Sequence, residues 1–354
     1  MSIARRANVA GLGLIGGSIA LALRGRGWHV TGDDLDTARV ERAMTMRAID
    51  TAGFDTEAEV TFVATPVLAI VDRVKAALAE STGLVTDVGS VKSGIAAAID
   101  DPRFVGGHPM AGSELDGFDG ADASMFEGAV WVLTPSATTA DSTFSRVAAI
   151  VAELGADVVA LPADRHDQVV AVISHVPHLA AATLMGLASD RAEEHAALLR
   201  LAAGGFRDMT RIASGHPAIW LDICAENRPA ILSALDGLIE GLESMRDVVD
   251  RDDRKELFAR LQHAREARVN LPSRVNLPSE LAEVRIPIPD RPGAAAEVFT
   301  LAAELGVNIA SFEVVHSVEG NRGVAVVLVE LATAELYRGG LMARGYRPAV
   351  QRLE

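Results

Sequence analysis

Residues 7–23 read Ala-Asn-Val-Ala-Gly-Leu-Gly-Leu-Ile-Gly-Gly-Ser-Ile-Ala-Leu-Ala-Leu. The apolar run at 8–10 has the character of a buried strand, and 18–23 continues as an apolar helix. Between them stand Gly11, Gly13 and Gly16, the spacing of a dinucleotide-binding turn in its proper strand-to-helix context. Gly11 permits the tight turn, Gly13 lets a pyrophosphate approach the backbone, and Gly16 lets helix and strand pack closely. Leu14 and Ile15 open the helix, whose positive N-terminus suits an anion. Arg5 and Arg6 ahead of this run imitate a secretion signal, but the glycines break its apolar core.

An acidic residue belongs at the end of the second strand, about 20 residues on, and the chain offers Asp33 and Asp34, with Asp34 better placed. A carboxylate there binds the adenosine ribose hydroxyls and repels a 2′-phosphate, which favours NAD. NADP stays open, since Arg39 or Arg42 could reach a phosphate. Thr65, in Ala64-Thr65-Pro66, closes the next strand where ligands gather in such sheets. It can touch the cofactor or cap the following helix.

The 354 residues suffice for two or three domains, and 49% are hydrophobic with only 4% aromatic, so the core is aliphatic. A net charge of −15 argues against nucleic acid or an anionic membrane as partner. No segment beyond the N-terminal run is expected to span a membrane. The one cysteine, Cys224, allows no internal disulfide and suits a reducing cytoplasm.

Short apolar strands alternate with helical patterns over 1–162, which predicts an α/β domain with a mostly parallel sheet. Strands are expected at 8–11, 30–32, 60–64, 84–87, 104–106, 130–134 and 157–161. Over 163–267 the strand signals vanish, and Ala/Leu-rich helical patterns occupy 169–188, 193–203 and 230–249. That apolar content exceeds what one amphipathic face needs, so a homodimer is expected. Residues 268–282 form a linker containing the hexapeptide Arg-Val-Asn-Leu-Pro-Ser twice in succession. Residues 283–354 read strand, helix, strand, strand, helix, strand, the ferredoxin-like βαββαβ order.

Two loops carry the chemistry. Asp87-Val-Gly-Ser90-Val-Lys92 follows one strand, and Ser90 can cap the next helix. Gly106-Gly107-His108-Pro109 with Met-Ala-Gly112-Ser113-Glu114 follows another. A histidine in a Gly/Pro-rich loop suits a base that removes a hydroxyl proton as hydride departs. Ser90 and His108, on neighbouring loops, can orient each other. Asp208 and Arg211 are three apart, so on one helix face they can pair and aim the guanidinium at a carboxylate. His175 and His178 flank Pro177, which disturbs a helix and can expose them. Two histidines without a nearby cysteine or further carboxylate make a poor metal site, so no metal is expected.

Together these segments resemble prephenate and arogenate dehydrogenases. Phe126-Glu-Gly128, Trp131 to Pro135, Ser174-His175-Val-Pro-His178 and Phe206-Arg-Asp208-Met-Thr210-Arg211-Ile-Ala213 extend the resemblance over about 7–250. It implies a Rossmann-type domain, a helical dimerisation domain and NAD-dependent oxidation and decarboxylation on the way to tyrosine. It implies His108 as base, Ser90 as its orienting neighbour and Arg211 as binder of the ring carboxylate. His178, His166, Asp208 and Trp220 fall at pocket positions. Residues 283–354, with Asp290-Arg-Pro-Gly293 and Gly306-Val-Asn308-Ile309, resemble ACT domains, which implies a tyrosine site near Gly293 and Asn308. A purely structural dimerisation module is the alternative there.

Prephenate is the expected substrate. Arogenate would call for an acid near its ammonium, for which Glu114 and Asp116 are candidates. A non-catalytic amino-acid sensor is a competing reading, against which the intact Ser90, His108 and Arg211 set speaks. A hydroxyacid or imine dehydrogenase would carry a Lys or Asp in the helical domain instead of His108.

Overall fold

The computed structural model describes residues 4–113, 117–192, 202–270, 281–289, 291, 293–316 and 322–352. Glu114, Asp116, Asp290, most of 193–203 and the hexapeptide repeat beyond Asn270 lie outside the described residues. The chain divides into two compact units, Met1–Asp252 and Asp253–Glu354.

The first unit begins with strand β1 (Arg6–Ala10), helix α1 (Leu14–Gly25) and strand β2 (His29–Asp33). Helix α1 buries Gly16, Ile19, Ala20 and Leu23, residues at i, i+3, i+4 and i+7. Asp36 caps helix α2 (Thr37–Thr45) through the Ala38 amide. The two-residue strand β3 (Thr51–Ala52) pairs with β2 and carries no pattern long enough to read beforehand. There follow β4 (Val60–Val63), α3 (Val67–Glu80), β5 (Leu84–Asp87) and the short α4 (Ser93–Ala98). Strand β6 (Phe104–Pro109), β7 (Val130–Thr134), α5 (Asp141–Glu153) and β8 (Asp157–Ala160) complete the layer.

The eight strands form one sheet in the order β3-β2-β1-β4-β5-β6-β7-β8. All neighbours are parallel except β6 and β7. That reversal corrects one expectation. His108 is not in a loop but near the end of β6, opposite Val132. The parallel partner β5 pairs only as far as Val105, and the antiparallel partner β7 carries the strand on to Pro109. The core under this sheet gathers Val9, Ile19, Leu23, Phe62, Trp131 and Leu133.

The helical part runs α6 (Ala163–Val170), a π-helical turn (Ala171–His175) and α7 (Val176–Ala192). The wider turn lies directly before Pro177, which lacks an amide hydrogen to donate. His175 is buried here and His178 nearly so, so Pro177 does not expose them as the sequence suggested. Contrary to expectation, Ala163–Asp190 is long and apolar enough to cross a membrane. Its buried His166, Asp167 and His175 are hydrogen-bonded within this unit, which suits a site floor better than lipid. Helix α8 (Gly204–Thr210) leads into a 3-10 turn (Arg211–Ser214), then α9 (Pro217–Glu226) and α10 (Arg228–Asp250).

The second unit holds α11 (Arg254–Val269), β9 (Leu281–Pro289), α12 (Ala294–Glu304) and β10 (Ile309–His316). It ends with β11 (Arg322–Glu330), α13 (Leu331–Ala343) and β12 (Ala349–Arg352). The antiparallel sheet has the order β10-β11-β9-β12, the ferredoxin-like arrangement. Alternate residues of β9 (Val284, Ile286 and Ile288) enter its core with Val298, Val327 and Tyr337.

Candidate active site

The glycine turn is built as its sequence requires. Gly11 has φ +94°, and a Cβ there would lie 2.5 Å from the Ala64 carbonyl oxygen. A Cβ on Gly16 would lie 1.9 Å from the Gly11 oxygen, while one on Gly13 would meet no protein atom within 4 Å. The first turn of α1 has no side-chain cap. Open space before uncapped amides is what a pyrophosphate needs.

Asp34 lies at the edge of this cradle. Its Oδ2 accepts from the Leu12 amide at 2.7 Å and its Oδ1 from the Asp36 amide at 2.9 Å. Asp33 turns to α3 instead, where Arg73 donates to both its oxygens at 3.0 Å. Burial raises Asp33 above the usual carboxylate range, partly offset by Arg73. Leu35, fully exposed, sets an apolar face beside Asp34. Thr65 does not cap α3. Its hydroxyl is buried and has no hydrogen-bond partner among the described residues. The open turn, the Asp34 carboxylate at its edge and this orphaned hydroxyl fit a dinucleotide.

The cluster around His108 differs from expectation in two respects, both at Ser90. The partner of His108 is not Ser90 but His166, with Nδ1 and Nε2 2.8 Å apart. His166 Nδ1 in turn lies 2.8 Å from Asp167 Oδ1. Ser90 does not cap α4 either. The Lys92 and Ser93 amides donate to Asp167, each at 2.8 Å, so a side chain from α6 caps that helix across 75 positions of sequence. Burial pushes Asp167 up, but its bonds to His166 and to the Ser93 and Lys92 segment hold it below its ordinary value.

Beneath this lies a fully buried ion pair, Lys92 with Asp87. Asp87 also accepts the Gly89 and Gly107 amides, at 2.8 and 3.2 Å. The pair therefore holds the backbone beside His108. Burial lowers Lys92 from its ordinary value. His108 is lowered well below the usual histidine range, first by burial and then by His166, Lys92 and His175. That direction favours the neutral imidazole, the form that can accept a proton.

The same network reaches the substrate-side candidates. Asn227 donates to the Asp167 carbonyl at 2.9 Å and lies 3.2 Å from His175 Nδ1. His175, lowered by burial to about 4, meets Trp220 edge-on at 6.1 Å. Trp220 stacks on His178, with ring centroids 3.6 Å apart and 11° between planes. His178 bonds to the Ile212 backbone, next to Arg211. Arg211 opens the 3-10 turn and Asp208 lies in the last turn of α8, so the single helix face expected for them is interrupted between the two.

Sequence reading missed Asp167, Asn227 and the Asp87–Lys92 pair as parts of one site. Of the surrounding residues it marked His166 as a pocket position and quoted the Asp87–Lys92 loop without seeing the ion pair. No local spacing announces a capping bond between α6 and α4.

The chain matches "Prephenate dehydrogenase, nucleotide-binding domain" over 19–160 and "Prephenate dehydrogenase, dimerization domain" over 162–263. It is 33% identical to the prephenate dehydrogenase of Bacillus subtilis, over 89% of this chain and 90% of that one. The structure resembles prephenate dehydrogenase from A. aeolicus in complex with hydroxyphenyl propionate and NAD+. The TM-score is 0.72 at 27% identity, covering 77% of this chain and all of that one. It also resembles Synechocystis arogenate dehydrogenase, with TM-score 0.65, 31% identity, and 74% and 98% of the two chains covered.

Proposed function

The chain belongs to the prephenate dehydrogenase family, and on that premise we propose that it oxidises and decarboxylates prephenate to 4-hydroxyphenylpyruvate with NAD. The observation that carries this reading is the continuous set of contacts from His108 through His166, Asp167, Asn227, His175, Trp220 and His178 to the neighbour of Arg211. It supports one pocket for a hydroxyl at one end and a carboxylate at the other.

In this reading Gly11, Gly13 and Gly16 with Leu14 and Ile15 hold the pyrophosphate, Asp34 the adenosine ribose, and Leu35 an adenine face. NAD when bound supplies the hydride acceptor. Arg211 holds the ring carboxylate, with Asp208 near it, and Trp220 and His178 wall the ring. His108 takes the hydroxyl proton as the C–H electron pair leaves. The resulting ketone loses carbon dioxide and becomes aromatic, which drives the second step, so the protein's work is positioning and charge placement. Ser90, half-buried on the loop between β5 and α4, faces cofactor or substrate rather than serving as the partner of His108.

The cytoplasm suits such a biosynthetic step, and a homodimer suits the apolar surface of the helical part. The ferredoxin-like unit acts as an ACT module that senses tyrosine. Its open groove of about 470 Å³ is lined by Phe299, Val307, Asn308, Ile309 and Phe312. Side-by-side kinetics test the substrate assignment. Prephenate with NAD should give the larger kcat/KM, against arogenate and against NADP. A larger value with arogenate would reassign the substrate, and no turnover of either would end the reading.

A further inference from the structure

The contacts around His108 fix more than its position. Asp167 is an acceptor whose oxygens already take the Lys92 and Ser93 amides. Its remaining bond, to His166 Nδ1, requires that nitrogen to carry the hydrogen. A neutral His166 then presents a lone pair at Nε2. His108 Nδ1, 2.8 Å away, must donate to it. The lone pair of His108 is thereby left on Nε2. One carboxylate, a single ring away, sets the tautomer of the base.

The same chain decides where positive charge is stable. His108 is separated from Asp167 by a whole ring, with the two ring centroids 5.0 Å apart. His166 touches the carboxylate directly and is fully buried. In a medium of low polarity an imidazolium is held better beside its counter-charge than one ring away.

We propose that His166 is a relay residue: as His108 Nε2 takes the substrate hydroxyl proton, the Nδ1 proton of His108 passes to His166 Nε2, and the charge settles between His166 and Asp167. The substrate O–H bond breaks and an N–H bond forms on His108. The N–H on the other side of that ring breaks and one forms on His166. The C–H electron pair leaves as hydride to NAD, so the substrate carbon is oxidised and the nicotinamide reduced. The inference rests on His108 being the base. It recasts His166, which the sequence marks only as a pocket position, as a residue acting through His108.

Two variants separate the parts. His166→Gln keeps an acceptor for His108 Nδ1 and cannot take a proton, whereas His166→Phe removes both functions. The groups facing the pair are Asp87 from the end of β5, Lys92 from the loop after it, Asp167 from α6 and His175 from the π-helical turn. With these unchanged, His108 alone binds the proton less well than the pair. For His166→Gln we expect kcat to fall about ten-fold or more with NAD affinity and prephenate KM little changed. The acid limb of kcat/KM should move to lower pH by about one unit. Nitrogen-15 spectra of the histidine-labelled wild type at pH 8 should show hydrogen on Nδ1 of both rings, assigned with the His108→Asn and His166→Gln variants.

An acid limb that stays in place, whatever happens to kcat, overturns the relay, as does a wild-type His108 carrying its hydrogen on Nε2. A rise in KM alone would return His166 to substrate contact. A wild type that turns over neither substrate would instead fail the functional reading, while the spectra would still report the tautomers.

Discussion

At the scale of single residues, the proposed reading divides the work between His108 and Arg211, and each substitution should read differently. His108→Asn should keep NAD binding and lose about 10²–10⁴-fold in kcat, the ordinary worth of a general base. Arg211→Ala should raise KM for prephenate through loss of a charge-assisted contact, roughly 2–3 kcal/mol or about 30- to 160-fold. Steady-state kinetics check both, and unchanged values would remove the assigned roles. Because burial and its neighbours hold His108 below the usual histidine range, it stays unprotonated at neutral pH and into more acid solution than a free histidine would. Its kcat/KM should be level there and fall only in more acid solution. Stability has the same sign. Burial pushes His175 down to about 4 in the folded chain, against the ordinary 6.5 of a free histidine. The unfolded chain therefore binds the proton first as pH falls. The contribution is complete above about 6.5 and declines between 6.5 and 4, so Tm should drop over that window. His108 and Arg211 stood out in the sequence because their motifs are local. Asp167 did not, because its importance comes from amides 75 positions away.

At the scale of elements, the β1–α1 turn allows stability and binding to be separated. Gly13→Ala places its methyl in open space at an ordinary φ, so the fold should be as stable as the parent while NAD affinity drops roughly ten-fold, about 1.4 kcal/mol. Gly11→Ala must adopt φ +94° against the Ala64 carbonyl, which costs about 1–3 kcal/mol in stability as well. Thermal melts beside NAD titrations check the pair, and equal effects of the two substitutions on Tm would contradict the cradle. This turn was readable because glycine spacing, strand and helix all lie within 20 residues. The end of β6 was not. Pro109 and the glycines around it read as a loop, and only the antiparallel partner β7, more than 20 positions further on, makes them strand. The π-helical turn before Pro177 was likewise seen as a disturbance, but its consequence, buried rather than exposed histidines, depends on α9 and α10 packing beside it.

At the scale of the whole molecule, the helical part leaves a large apolar surface. Leu221 is 73% exposed and Leu242 61%, with Met209, Leu232 and Ile239 also exposed. Patches of this kind mark association surfaces. Sedimentation should give a dimer, and Leu242→Glu should shift it toward monomer; a stable wild-type monomer would contradict that. In the ferredoxin-like unit, Asn308→Ala should weaken tyrosine binding by calorimetry and leave turnover without tyrosine unchanged. Equal binding by both proteins would count against that groove as a tyrosine site. Alternation in β9 made this unit legible, whereas its groove, formed between α12 and β10, has no pattern in the chain. The central claim is that one pocket holds the hydroxyl at His108 and the carboxylate at Arg211. It is tested most directly by a crystal structure of the His108→Asn protein with NAD and prephenate. The account predicts the ring hydroxyl within hydrogen-bond distance of Asn at position 108 and the ring carboxylate on the Arg211 guanidinium; a ring lodged away from position 108, or a carboxylate held by other residues, would contradict it.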